Sequence, residues 1–280
     1  MAPLLRQYRD YACWQSDRAA GADQEAMEQA WCEALDGFTP RLALRLPRPG
    51  RDADAGPFAG LVVEAALDPT ALDRARRALA DRGRFTDFHL LLGAYALTLW
   101  AYTRQDDMTV GTPVSMRRDA HLDRTIGPFL NAVPLRLRLD PEQTVAELLE
   151  RVRQATVAGL ARADVPAERL VDLVRPARAE PHMPLFEALF ALEDTAVGLM
   201  ALPGLTIETL TVDNPAAKYT LALFVQHRGG RPVAVLKGRR DRIAEPAARA
   251  LLDAFVATVA TLAGRVGQPV ADVAPGTGVE

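Results

Sequence analysis

Apolar positions along this chain recur with two spacings, and the switches between them mark out its elements. Tyr8 to Asp36 is rich in helix formers, with Tyr11, Trp14, Met27, Trp31 and Leu35 as its large apolar residues. Proline, glycine, arginine and aspartate then rise from Phe38 to Gly56, the composition of a surface connection. Phe58 to Leu67 reads as the first strand, and Asp68-Pro69 supplies an N-cap followed by proline at the start of a helix. Leu72, Ala75 and Leu79 keep one face of that helix apolar. A longer helix carries Phe88, Leu91, Leu92, Tyr95, Leu99 and Tyr102 at three- and four-residue steps.

Asp107 to Val114 predicts a short strand ending in a Gly-Thr-Pro turn. Asn131 to Leu139 predicts another, whose alternating apolar and basic end leaves one face wet. Thr144 and Glu147 have capping-box spacing ahead of the stripe Val145, Leu148, Leu149, Val152 and Thr156. Further strands are expected at Leu185 to Leu192, Leu205 to Val212, Tyr219 to Gln226 and Pro232 to Leu236. A last helix near Pro246 carries Leu251, Leu252, Phe255, Val259 and Leu262. The pattern predicts an α/β (α+β) layered sandwich, a mixed β-sheet flanked by helices, over residues 1–264, with 265–280 as a flexible tail.

Composition narrows the class. At 280 residues, 49% hydrophobic and 25% charged, the chain has the balance of a soluble globular protein. No apolar run reaches the roughly eighteen residues of a membrane helix, and the first ten residues lack a secretory stretch, so a cytoplasmic protein is expected. A net charge of −3 gives no field for nucleic acid. The basic run from Lys237 to Arg242 reads as a solvated strand end rather than a docking surface. The two cysteines, Cys13 and Cys32, belong to no Cys/His cluster, which argues against a disulfide framework or zinc site.

Catalytic signatures are absent. Neither Ser16 nor Ser115 sits in a G-x-S-x-G elbow, and there is no phosphate loop or dinucleotide fingerprint. The four histidines, His89, His121, His182 and His227, have no second histidine at metal-ligand spacing. His89 lies beside an apolar helix stripe and reads as a core or boundary residue; the others stand in loops or at strand ends. No catalytic or metal-ligating residue is assigned.

An ordered series of segments nevertheless resembles condensation domains of nonribosomal peptide synthetases. Tyr8-Arg9-Asp10-Tyr11-Ala12-Cys13-Trp14 is similar to the family's Tyr-x-Asp-(Phe/Tyr)-Ala-x-Trp motif, and Val110-Gly111-Thr112-Pro113 to its Val-Gly-Thr-Pro strand. Ile126-Gly127-Pro128-Phe129-Leu130-Asn131 resembles Ile-Gly-x-Phe-Val-Asn, and Asp164-Val165-Pro166 with Glu168 the motif after it. Arg178 and Pro184-Leu185-Phe186 are similar to the ends of the last motif, whose centre is altered to Ala179, Pro181, His182 and Met183.

The resemblance implies a two-lobed enzyme of the chloramphenicol acetyltransferase-like superfamily, of which this is the C-terminal lobe. Its catalytic motif, His-His-x-x-x-Asp-Gly, belongs to the N-terminal lobe, and no His-His pair occurs here. The expected role is tunnel wall, latch and floor loop for amide formation between carrier-bound thioesters, with Gly127, Phe129 and Asn131 at the tunnel, Thr112, Ser115 and Arg117 on the latch, and Lys218 and Tyr219 on the donor side. Implied partners are an N-terminal lobe and peptidyl carrier proteins, whose phosphopantetheine arms are the only cofactor, with no membrane partner; alone the chain is expected to be inactive and to homodimerise. The alternatives are an inert docking module that binds a carrier protein or recruits a tailoring enzyme, and an independent acyltransferase using His89 or His121.

Overall fold

The computed structural model describes residues 5–18, 21–46, 56, 58–175, 184–193, 205, 216–228 and 230–275. The opening segment forms two helices, α1 (Tyr8–Arg18) and α2 (Ala22–Ala34), separated by Gly21. Among the described residues six strands follow: β1 (Gly60–Ala66), β2 (Asp107–Ser115), β3 (Leu130–Arg138), β4 (Ala188–Glu193), β5 (Leu221–Arg228) and β6 (Arg231–Arg239). They build one mixed sheet in the order β1-β6-β5-β4-β2-β3, with β2, β4 and β5 parallel to one another and the other pairings antiparallel.

Helix α3 (Ala71–Ala78) begins two residues later than the cap reading implied, because Asp68 accepts the Thr70 N–H and hydroxyl at 2.8 Å and turns the chain first. Helix α4 (Asp87–Thr103) is the centre of the core. It is apolar nearly all round, and every residue from His89 to Thr103 is buried, as expected of a helix covered on all sides. It contacts both α5 (Val145–Ala161) and α7 (Glu245–Thr261), which pack on β3 and on β1 with β6. Tyr95 of α4 lies edge-on to Phe255 of α7 at 6.3 Å. Residues 245–264 are long and apolar enough to cross a membrane by length and composition, but Leu251, Leu252, Phe255 and Val259 are spent on this core.

Two expectations change, and others lie outside the described residues. The packed chain runs past the boundary at 264: Val145 and Ala146 donate N–H bonds to Gln268 and Val266 carbonyls, and Val270 and Val273 of a short helix α8 (Val270–Val273) are buried. The basic run is not simply solvated, since β6 continues to Arg239, whose side chain is 3% exposed, paired with Asp241 and stacked over Phe58. The strand expected at Leu205 to Val212 lies, apart from residue 205, outside the described residues, as do Arg178, Ala179, Pro181, His182 and Met183.

Candidate functional site

The segment joining β2 to β3 leaves the sheet as a loop that packs on α1. Its two sides are pinned by the Met116 N–H donating to the Phe129 carbonyl at 2.9 Å. Arg117 fixes the interior: its guanidinium donates to the Leu122 and Thr125 carbonyls and lies 4.2 Å from the Phe129 ring centroid. Tyr8 and Tyr11 of α1 close over Phe129 at 5.1 and 4.7 Å between centroids. Gly127 is required by this approach, because a Cβ there would stand 2.2 Å from Tyr8. The Thr125 hydroxyl completes the attachment, donating to the Arg6 carbonyl at 2.8 Å.

Sequence motifs more than a hundred residues apart thus form a small aromatic cluster separate from the main core. This placement shows where two of the expected site residues lie within the chain. Phe129, at 2% exposure, is walled in by Tyr8, Tyr11 and Arg117 rather than open to a cavity, and Thr112 is buried in β2. Ser115 is exposed at the end of β2, where its hydroxyl accepts the Arg117 N–H at 3.3 Å.

Asn131 was expected to present its amide to a tunnel, but all of its capacity is used within the chain. Its Nδ2 donates to the Ala163 and Val165 carbonyls, each at 2.8 Å, and its Oδ1 accepts the Ala132 and Ala167 N–H groups at 2.9 and 3.1 Å. Two donors and two acceptor sites are an amide's full complement. It clamps the turn between α5 and α6 (Ala167–Val174) to the first residues of β3. Further along β3, Arg136 makes a bidentate bridge to Asp107 with distances from 2.6 to 3.1 Å, which raises the guanidinium pKa still further.

Lys218 and Tyr219 stand at the other end of this stretch of sheet. Tyr219 stacks on Phe186 at 5.7 Å, and Phe186 fills the space that a side chain at Gly111 would take, its ring 2.0 Å from the Cβ position. Burial pushes the Tyr219 hydroxyl pKa upward. Lys218 is exposed, its ammonium 5.7 Å from the Tyr219 ring. Gly127, Phe129, Arg117 and Ser115 therefore share one cluster with Asn131 beside it, while Tyr219 reaches β2 through Phe186.

The residue that sequence reading missed is Glu187. Its carboxylate, 2% exposed, accepts the Leu42 N–H at 2.9 Å and lies 3.6 Å from Arg242; its own N–H donates to the Pro40 carbonyl. The connection from α2 is thereby fastened to the start of β4. The one clue was a glutamate standing inside an otherwise apolar run, which calls for a fixed partner.

Two grooves of about 260 and 340 Å³ flank this aromatic cluster and share Tyr11, Trp14, Met116 and Asp164. Asp164 pairs with Arg118 at 3.1 Å and Arg18 at 3.7 Å. Neither groove is lined by histidine. His89 serves as a helix cap: its Nδ1 accepts the Thr86 N–H while the Thr86 hydroxyl accepts the His89 N–H, and burial lowers its pKa. A neutral ring that accepts at Nδ1 fits that direction. His121 and His227 are exposed. Among the described residues no group of three His, Cys, Asp or Glu side chains is placed to hold a metal ion. Close to the aromatic cluster, Trp14, Ile126 and Leu130 remain 47%, 92% and 70% exposed.

Comparison with known proteins gives a consistent picture. The sequence profile of the family described as "Condensation domain" matches residues 2–274. Malpinin synthetase of Mortierella alpina is 36% identical over 225 residues, and phosphinothricin tripeptide synthetase PhsC of Streptomyces viridochromogenes is 37% identical over 231. These alignments take in 80% and 81% of this chain but only 3% and 21% of those proteins. Among solved structures, the complex of the X-domain and OxyB from teicoplanin biosynthesis superposes with a TM-score of 0.81 at 23% identity, covering 98% of this chain and 61% of that one. At that identity the likeness speaks for the fold.

Proposed function

The chain belongs to the condensation-domain family of nonribosomal peptide synthetases, and from that premise we propose that it is the C-terminal lobe of such a domain, supplying wall, latch and floor for amide formation between carrier-bound substrates. The observation that carries the reading is the loop joining β2 to β3, the latch and floor of this reading, which is packed on its inner side against α1 and leaves Ile126 and Leu130 92% and 70% exposed. Bulky aliphatic side chains displayed together on an ordered loop suit a second protein surface. An N-terminal lobe outside these 280 residues is that surface in this reading, and it carries the histidine pair.

The reaction joins an acceptor amine to a donor thioester. The amine nitrogen attacks the thioester carbonyl, a C–N bond forms, the C–S bond breaks, and the proton lost by the amine ends on the departing phosphopantetheine thiol. Arg117, Gly127 and Asn131 act here as positioning residues: they hold the latch and the start of β3 in one shape, and shape converts binding into rate. Lys218 and Tyr219 sit toward the donor side. Proton transfer by a placed histidine is worth about 100- to 10,000-fold, and in this reading it comes from the partner lobe.

The test is reconstitution. The chain is mixed with a separately expressed N-terminal lobe bearing His-His-x-x-x-Asp-Gly, and aminoacyl carrier proteins are supplied as donor and acceptor. Amide product detected by mass spectrometry only when both lobes are present supports the proposal. Product no higher than with one lobe overturns it.

A second reading, a docking module without chemistry of its own, is favoured by the altered centre of the last motif, with Ala179, Pro181, His182 and Met183. Its resemblance to a domain solved in complex with another protein is compatible with this. Retention of a carrier protein or neighbouring enzyme without any N-terminal lobe would favour it.

A further inference from the structure

Away from the latch, α2, β3 and α5 enclose a groove of about 370 Å³ that shares no residue with the two grooves beside Tyr11. Ala155, Ala158 and Gly159 of α5 and Trp31 of α2 give it a low apolar floor. Four arginines line it, at 136, 138, 151 and 162, and no aspartate or glutamate does. Arg136 is committed to Asp107, but the other three are differently placed. Arg138 is 62% exposed and reaches Asp107 only at 3.7 Å. Arg151 and Arg162 make no close ion pair among the described residues, although the charges of Glu147 and Glu33 act on them.

Arg162 is unusual in this setting. Its guanidinium stacks on Trp31 at 4.7 Å and donates to the Ala30 and Ala158 carbonyls at 2.6 and 2.9 Å, with the charge of Glu33 acting on it and no carboxylate bonded to it. Burial lowers its pKa, the direction of a charge short of compensation. Arg151 of α5 and Arg162, the residue that caps its C-terminal end, lie eleven residues apart, about 16 Å at 1.5 Å per residue, the length of roughly three helical turns.

We propose that this groove docks a helix of about three turns from a partner protein, amphipathic, with an apolar face on the alanine and glycine floor and carboxylates toward Arg138, Arg151 and Arg162. Charge complementarity selects an acidic occupant. A helix is preferred to an added strand because Pro134, in the middle of edge strand β3, has no N–H to offer a ladder. The proposal is independent of where the catalytic histidines reside.

The probes are stapled three-turn helices with a Leu/Ala face and flanks of glutamate, glutamine or lysine, titrated against the full chain by fluorescence anisotropy. The glutamate helix is expected to bind, weakening with salt, and the lysine helix to fail. Arg138→Glu with Arg151→Glu, two exposed positions, is expected to lower affinity at least about tenfold, and Ala155→Trp, which fills the floor, to abolish it; unchanged thermal unfolding shows that each variant folds. No binding of the glutamate helix at about millimolar concentration overturns the proposal. So does equal binding of the lysine helix, of a proline-broken glutamate peptide, or by the Ala155→Trp chain.

Discussion

The core around α4 and the cluster beneath the latch are both closely packed, yet only the first is finished. Every residue of α4 from His89 to Thr103 is enclosed by this chain, with Tyr95 set between Phe190 and Phe255. Under the latch, Phe129 is equally enclosed, but the same loop ends in Ile126 and Leu130 facing solvent. The first region is covered on all sides, although the buried Tyr95 hydroxyl has no hydrogen-bond partner among the described residues; the second is packed on one side and leaves aliphatic side chains exposed on the other. Their polar groups differ in the same sense, since α4 needs little beyond its own ladder and caps, whereas the latch end is tied by side chains to main-chain groups far along the sequence.

Substitutions sharpen this difference. The largest effect is expected in the core: Phe255→Ala removes a fully buried ring and costs about 3–5 kcal/mol, seen as a shift of one cooperative urea transition. Next comes Asn131→Ala, which strands the Ala163 and Val165 carbonyls and the Ala167 N–H at a cost of about 1–3 kcal/mol. Its hydrogen-exchange signature should be local, with residues 163–167 losing protection while α4 keeps its own. Uniform loss across the chain would remove the distinction between the regions. Ile126→Ser with Leu130→Ser should change the stability of the isolated chain by less than about 0.5 kcal/mol each, as for ordinary surface positions. The same pair should weaken association with an N-terminal lobe, measured by analytical ultracentrifugation; unaltered association would separate the exposed latch from any interface.

The two regions were also unequally legible. Periodicity alone located β1, β3 and the helices about Tyr95, Leu148 and Leu252, because local burial patterns repeat within each element; β2 was located too, but Gly111-Thr112-Pro113, read as a turn ending it, continues the strand in register with Val133 and its neighbours on β3. The latch motifs were readable as family strings, but the role of Asn131 was not. Its partners lie 32 to 36 residues onward, a distance no spacing rule spans. Glu187 escaped for a similar reason, as it is held by Leu42 across 145 residues. The packed segment from 265 to 275 was misjudged because glycine and proline suggested fraying, while Val266 and Gln268 carbonyls in fact accept from the first turn of α5. Arg239 looked exposed in a run of charges, although β-pairing with Gly60 and the ring of Phe58 bury it.

The smallest effect is expected at Asp68, on the finished side of the molecule, where the chain enters α3. Hydrogen bonding from Arg74, at 2.7 Å, and then from the Thr70 N–H and hydroxyl lowers its pKa from 3.8 to about 2. A carboxylate favoured in the folded state stabilises it at pH values above 3.8, and that contribution fades as the pH falls from there toward about 2. Solvent screening of so exposed a group keeps the effect on overall stability small. The pKa itself is the sensitive readout: the Cγ resonance of Asp68 should titrate near 2 in the native chain, and Arg74→Ala should move the midpoint up toward 3.8. A native midpoint already at 3.8 would mean that the bonds from Arg74 and Thr70 do not persist in solution. In that case even the simplest local cap on the finished side would be looser than the Asn131 clamp beneath the latch.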